Sequence, residues 1–200
     1  MKMLNLKSEV RMKKYKSYRG TVGKVAPNIL NRNFKASKPN EKWVTDVTEF
    51  SLFGEKLYLS PILDLYNGEI ISYQIEKRPI FKMVTAMLEK AFVKLNKTDK
   101  VILHSDQGWH YQMQQYQNLL KENRITQSMS RKGNCLDNSV MENFFGHLKS
   151  ELLYLQDFES MEHFIEELEE YIDYYNNKRI KSKLKGMSPV KYRIHSSLVA

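Results

Sequence analysis

Residues 43–50 read WVTDVTEF, an alternation that sets Val44, Asp46, Thr48 and Phe50 on one side of the chain and Glu49 on the other. A period of two over this length predicts a β-strand. It also leaves an acid, Asp46, in the middle of that strand. The two stretches that follow, KLYLSPILDLY (56–66) and EIISYQIE (69–76), are rich in Tyr, Ile and Leu, and Tyr66-Asn67-Gly68 between them is a hairpin signal. Three antiparallel strands are therefore predicted. After Pro79 the period changes, with Met83, Val84, Met87, Leu88, Ala91, Phe92 and Leu95 at helical spacing in a stretch ending near Asn96. VILH (101–104) is a short apolar strand, residues 112–123 a second helix and ITQSMS (125–130) a fifth strand. Ser139 to Tyr154 and Met161 to Asn176 both read as helices, the latter with a glutamate-rich outer face. The order βββαβαβ followed by helices implies the α/β class: a mixed five-stranded sheet flanked by helices, because strands separated by helices tend to run parallel through crossovers.

The chain has 200 residues, of which 42% are hydrophobic, enough for one domain with a real core. Its one cysteine, Cys135, excludes an intrachain disulfide, and no cluster of His and Cys suggests structural zinc. There is no apolar leader at the N-terminus and no run long enough to span a membrane, so the expected location is the cytoplasm, with no membrane contact. The net charge of +9 is unevenly placed: residues 1–42 carry +10, residues 43–177 carry −8 and residues 178–200 carry +7. Two basic ends suit a polyanion such as a phosphate backbone; Lys-rich termini that only keep a protein soluble are the competing reading. The charge steps mark three segments. Residues 1–42 form an extended basic arm containing KKYKSYRG (13–20), residues 43–177 a packed core, and residues 178–200 a basic tail packed on or extending it.

A carboxylate in apolar surroundings needs a reason. Asp46 lies mid-strand. Asp106 follows VILH, where it either begins a turn and caps the next helix or serves as half of a metal site. Glu142 sits in SVMENFFGHLKSE (139–151), a helix otherwise dominated by Val140, Met141, Phe144, Phe145 and Leu148. Three carboxylates from two strands and a helix suit Mg²⁺ or Mn²⁺, hard cations that keep positions open for water and phosphate. Glu142 has a local rival reading, since Ser139-Val140-Met141-Glu142 matches the S-x-x-E capping box. Against it, Asn138, Glu142 and Lys149 form a polar stripe on an apolar helix. Asp137 is a better N-cap candidate than a ligand. Glu151 is the alternative ligand on nearly the same face, and Asp64 and Glu69 fit the Asn67-Gly68 turn.

At these residues the sequence resembles the DDE transposases of bacterial insertion sequences, in the IS-three branch related to retroviral integrases. Asp46 in WVTDVTEF, Asp106 in HSDQGWHY (104–111) and Glu142 in NSVMENFFGHLKSE (138–151) are similar to that family's acidic triad, and 35 residues separate Asp106 from Glu142. Lys149 matches its basic residue seven positions after the glutamate. KPNEKWVTD (38–46), KGNCLDNSVMENFF (132–145) and YNNKRIKSKLKGMSPVKY (175–192) extend the resemblance over roughly residues 15–195. It implies an RNase H-like fold, with the first Asp on the first strand, the second after the fourth and the glutamate on a helix. It implies a polynucleotidyl transferase with Asp46, Asp106 and Glu142 as catalytic residues and ligands of two divalent cations, Mg²⁺ or Mn²⁺. The DNA partners would be element ends and target DNA, cut with water and joined through the resulting 3′-hydroxyl.

Lys149 and Asn138 are then expected near the scissile phosphate, and Arg131 and Lys132, in SRKGNC (130–135), on backbone phosphates. Gly108 and Gly133 are read as giving backbone freedom near the site, or as plain turn residues. His104, His110 and Trp109 are read as supporting or packing groups. Members of the branch carry helix-turn-helix material ahead of the core, and LKSEVRMKKYKSYRG (6–20) resembles only its tail. The expectations are a truncated copy, a late start, or a chain whose helix-turn-helix recognition comes from a partner protein of an upstream reading frame. A homo-oligomer on DNA is implied because strand transfer pairs two ends. The alternatives to a transposase core are a non-catalytic DNA-binding remnant and a metal-dependent nuclease of the same fold.

Overall fold

The computed structural model describes residues 23–199. A mixed six-stranded sheet forms its centre. The strands are β1 (Lys42–Thr45), β2 (Thr48–Leu52), β3 (Glu55–Asp64), β4 (Ile70–Glu76), β5 (Ile102–Ser105) and β6 (Thr126–Met129). β3 pairs antiparallel with β4 on one side and with both β1 and β2 on the other. β1 pairs parallel with β5, and β5 parallel with β6. The helices are α1 (Phe81–Phe92), α2 (Trp109–Gln112), α3 (Gln114–Glu122), α4 (Ser139–Leu148), α5 (Met161–Asn177) and α6 (Pro189–Val199).

The sheet has six strands rather than the five predicted because the first strand is broken. Thr45 faces Ile62 and Thr48 faces Leu59, so the register continues without a shift, and Asp46 and Val47 fall opposite Pro61 and Ser60. Pro61 has no N–H to give to the ladder. Its carbonyl accepts from Thr45 Oγ1 at 2.8 Å, while Val47 N–H donates to Asp46 Oδ1 at 2.7 Å. Sheet pairing therefore lapses at the acid and resumes two residues later. The β2–β3 connection is a two-residue turn, Phe53-Gly54, with φ of 53° and 75°; positive φ at both positions matches the type I′ turn whose twist suits a hairpin.

Alternation along the broken strand decides which face each helix covers. Val44 and Phe50 join Phe144, Leu148, Phe164 and Leu168 in a core under α4 and α5. Trp43, fully buried, points the other way and packs with Ile62, Met83, Met87 and Leu120 under α1 and α3. Each large side chain so buried contributes about 1.5–3 kcal/mol.

Two predicted helices are interrupted. Over residues 112–123 the chain makes α2 and α3, separated at Met113 by extended backbone with ψ of 137°. The helix predicted to reach Tyr154 changes at Lys149 into a π-helical turn, Lys149–Leu153, closed by Tyr154 N–H donating to the Lys149 carbonyl at 3.0 Å.

Part of the expected basic arm, residues 1–22, lies outside the described residues. Residues 26–30 run along β6, where Met129 N–H donates to the Pro27 carbonyl and Ile29 and Leu30 N–H both donate to Ser128 Oγ. At the other end, α6 docks on the β3–β4 turn. Asn67 Nδ2 donates to the Pro189 carbonyl, Arg193 pairs with Glu69 at 2.7 Å, and the Tyr66 and Tyr192 rings lie 5.6 Å apart.

Candidate active site

The parallel pairing of β1 with β5 assembles the site. Val44 is level with His104, so Asp46 and Asp106, each just past its strand, come out level at the same end of neighbouring strands. This is the edge of an α/β sheet where ligands commonly bind. α4 crosses the face above β1 and carries Glu142 in its first turn.

Asp46 feels the charge of the other two carboxylates. Burial first, then Asp106, with a smaller contribution from Glu142, push the Asp46 carboxyl well above the usual carboxylate range, against the Val47 N–H bond that lowers it. Burial also raises Asp106, opposed by the Gly108 N–H bond and by His110, and burial raises Glu142. Asp46 Oδ2 accepts from Asn138 Nδ2 at 2.9 Å, and Asp106 Oδ1 accepts from Gly108 N–H at 2.8 Å. A Cβ on Gly108 would stand 2.9 Å from that same oxygen, so only glycine lets the backbone approach so closely. Gly133 adopts a φ of +72° in the loop before α4.

Glu142 is exposed and makes no hydrogen bond among the described residues; the capping box with Ser139, the rival reading of this glutamate, is not formed. Glu151, the alternative ligand, is committed elsewhere, accepting from Arg179 and from the Tyr171 hydroxyl. Asp137 does not cap α4 as predicted. It is buried, with its carboxylate bound by Arg131, Arg32 and Asn28. Local offset alone suggested the cap, but three cationic or amide donors outcompete a helix N–H for a carboxylate.

The four residues expected on DNA are differently placed. Asn138 is buried and holds Asp46. Two guanidinium nitrogens of Arg131 are engaged by Asp137. Lys132 is exposed. The Lys149 ammonium lies 5.8 Å from the centroid of the Phe50 ring. His104 is wholly buried and bridges Ser128 Oγ and the Asp137 carbonyl, while His110 bonds the Pro79 carbonyl and stacks at 3.7 Å on half-buried Trp109. Sequence reasoning missed Tyr111. Its buried hydroxyl lies near both Asp46 and Asp106, and burial, reinforced by those two charges, pushes it well above the usual phenol range, so it stays protonated. Nothing in HSDQGWHY distinguishes it from a packing aromatic.

The groups at this edge suit a hard cation. Asp46, Asp106 and Glu142 are oxygen donors whose mutual repulsion a cation would relieve, and the Asn138 Oδ1, buried beside them, has no hydrogen-bond donor. Among the described residues no three His, Cys, Asp or Glu side chains already enclose a common point. Of the triad, Glu142 is the member free to swing inward.

The Integrase core domain family matches residues 36–135, and a second Integrase core domain family matches residues 142–196. "Putative transposase InsK for insertion sequence element IS150" of Escherichia coli is 58% identical over 193 residues, covering 96% of this chain and 68% of its own length. The chain belongs to the IS-three family of DDE transposases. This transposase core is also 55% identical over 196 residues to an uncharacterized transposase-like protein of Haemophilus influenzae, covering 98% of this chain and 90% of that one. Among solved structures, the HTLV-2 integrase catalytic core domain in complex with magnesium superposes with a TM-score of 0.62 at 17% identity, over 78% of this chain and 98% of that one. That likeness identifies the fold as RNase H-like. No helix among the described residues of the transposase core is long and apolar enough to cross a membrane.

Proposed function

We propose that this transposase core cuts DNA at the ends of its insertion sequence and joins the freed 3′-hydroxyls to target DNA, using Asp46, Asp106 and Glu142 to hold two divalent cations, Mg²⁺ or Mn²⁺. The observation that carries this reading is the level placement of Asp46 and Asp106 on adjacent strand ends, with Glu142 close enough to raise the Asp46 carboxyl. The magnesium in the complex of the HTLV-2 integrase core supports the choice of cation. Bound there, the cations would supply Lewis-acid activation of the attacking oxygen and neutralise charge on the leaving one.

The chain's own residues supply position and charge. Asn138 Nδ2 fixes one oxygen of Asp46 while Val47 N–H fixes the other, so the carboxylate presents a single orientation. Gly108 does the same for Asp106. Lys149 and Lys132 receive phosphates of the element end and its flank, and the exposed part of Arg131 assists them. In the cutting step water oxygen bonds to phosphorus as the bond to the 3′-oxygen breaks. In the joining step that 3′-oxygen attacks a target phosphodiester and displaces another 3′-oxygen. Two ends must be held together, so the working form is a homo-oligomer on DNA, and a partner protein from an upstream reading frame contributes helix-turn-helix recognition.

The test is a cleavage-and-joining assay on a duplex bearing the element terminus, with Mg²⁺ and with EDTA. Nicked and joined products that depend on Mg²⁺ and vanish in Asp106→Asn support the reading. Nicking without joining would make this chain a nuclease, and duplex binding without either product a DNA-binding remnant. Lys149→Ala should weaken binding of the DNA end more than binding of metal; equal loss of both would refute this division of labour.

A further inference from the structure

We infer that Arg32 and Asp137 are positioning residues for Asp46, acting through Asn138; this rests on the reading of Asp46 as a metal ligand. Asp137 and Asn138 are consecutive, and they face opposite ways. The Asn138 amide reaches Asp46 Oδ2. The Asp137 carboxylate, whose side chain has 0% exposure, accepts from Arg131 N–H, Nε and a terminal nitrogen, from Arg32 Nε at 2.7 Å and from Asn28 Nδ2 at 3.0 Å. Five donors on one carboxylate leave it no freedom to turn. The backbone of the next residue is fixed with it.

The same corner is pinned a second time through the peptide group. The Asp137 carbonyl can only accept, so His104 donates from Nε2 and its Nδ1 accepts from the Ser128 hydroxyl. That leaves both lone pairs of Ser128 Oγ for Ile29 and Leu30 N–H, which they receive at 2.9 and 3.1 Å. Every member of this buried network is satisfied, so it is rigid.

Residues 28–32 thus hold the loop ahead of α4 directly by side chain and, through Ser128 and His104, by backbone. The conformation of Arg32 shows that the grip is maintained against cost. Its φ of 61°, following 43° at Asn31, lies in a region that asparagine tolerates but a long side chain such as arginine seldom occupies. The turn is stitched by Asn31 N–H to Asn28 Oδ1 and Asn33 N–H to the Leu30 carbonyl, and it aims Arg32 Nε at Asp137 and a terminal nitrogen at Asn134 Oδ1. A cation that composition alone assigns to a DNA-binding arm is here engaged by Asp137 and Asn134 at the protein surface. The Asn28–Arg32 segment, in sequence well before β1, becomes part of the frame that orients the first acid of the triad.

The test measures Mn²⁺ affinity by calorimetry on the full chain for the wild type, Arg32→Gln, Asp137→Asn, Asn138→Ala and the double variant Arg32→Gln/Asn138→Ala, well below each melting temperature. Arg32→Gln is expected to weaken Mn²⁺ binding about tenfold, as loss of a supporting hydrogen bond around a metal site commonly does, and to leave metal-free affinity for a short duplex unchanged. In the Asn138→Ala background the same change should add nothing, because its route to Asp46 is already cut. Asp137→Asn should act in the same direction; if it fails to fold, Arg32→Gln, whose side chain is partly exposed, still decides the matter. Unchanged Mn²⁺ affinity in Arg32→Gln, or losses that add in the double variant, would overturn the inference while Asp46→Asn still abolishes binding. Weakened duplex affinity with intact Mn²⁺ affinity would make Arg32 a phosphate contact and overturn it as well. If Asp46→Asn itself binds Mn²⁺ normally, the metal site and this inference fall together.

Discussion

Replacing Asp46 by asparagine should make the metal-free protein more stable while removing its proposed chemistry. Burial, Asp106 and Glu142 all raise the Asp46 carboxyl above its unfolded value, so between the two values the folded chain holds the proton more tightly than the unfolded one. The contribution of Asp46 to the stability of the metal-free fold is therefore full below its unfolded value and is lost as pH rises through that window. Asp46→Asn removes the charge. The introduced amide keeps an oxygen for Val47 N–H, and if the Asn138 side chain turns over, the bond between the two side chains is kept with donor and acceptor exchanged. Relieving an active-site charge typically returns about 0.5–2 kcal/mol. A gain of that size corresponds to about 1–8 °C in a domain of this size. Thermal melts by circular dichroism in EDTA at pH 7.5 should show that rise, and the advantage should shrink near pH 4. In saturating Mg²⁺ the order should reverse, because the cation stabilises only the chain that binds it. A variant that melts at or below the wild type in EDTA at pH 7.5 would refute the claim that Asp46 is a strained charge.

Three further outcomes follow from the geometry. Gly108→Ala should lower Mn²⁺ affinity about tenfold without lowering the melting temperature, since its φ of −55° suits alanine but the added methyl strikes Asp106 Oδ1; joint loss of stability and affinity would count against a local effect. Phe53→Asn should stabilise by about 0.5–1 kcal/mol in urea titrations, because the exposed phenylalanine holds a φ of 53° that asparagine tolerates better; no gain would mean the ring makes an unrecognised contact. Arg193→Met should destabilise by about 2 kcal/mol, leaving the buried Glu69 carboxylate without its partner; a change below about 0.5 kcal/mol, the usual range for surface sites, would show that α6 is not anchored there.

The strand that carries Asp46 was legible because its positions obey a local rule. Asp46 stood out through the alternation of WVTDVTEF, and Val44 and Phe50 do share one core. The three acids were singled out by their apolar surroundings, and the family resemblance supplied the meaning of the 35 residues between Asp106 and Glu142, since no helical or strand period specifies such a separation. What local reading missed depends on partners remote in sequence. The break at Asp46 needs Pro61 across the sheet, and proline's missing N–H acts only once register is known. Asp137 looked like a cap from its neighbours, but its partners Asn28 and Arg32 lie 109 and 105 residues away. The π-helical turn at Lys149 has no sequence marker that a heptad or helical count would detect, because it conserves the apolar face while adding one residue.

The most direct measurement of the proposed chemistry is Mn²⁺ titration calorimetry in the presence of short duplex DNA, comparing the wild type with Asp46→Asn, Asp106→Asn and Glu142→Gln. One site built by three carboxylates predicts that each substitution weakens binding by itself and that pairs of substitutions lose little more. Binding that survives all three changes, with the duplex still bound, would contradict a catalytic metal site at this sheet edge.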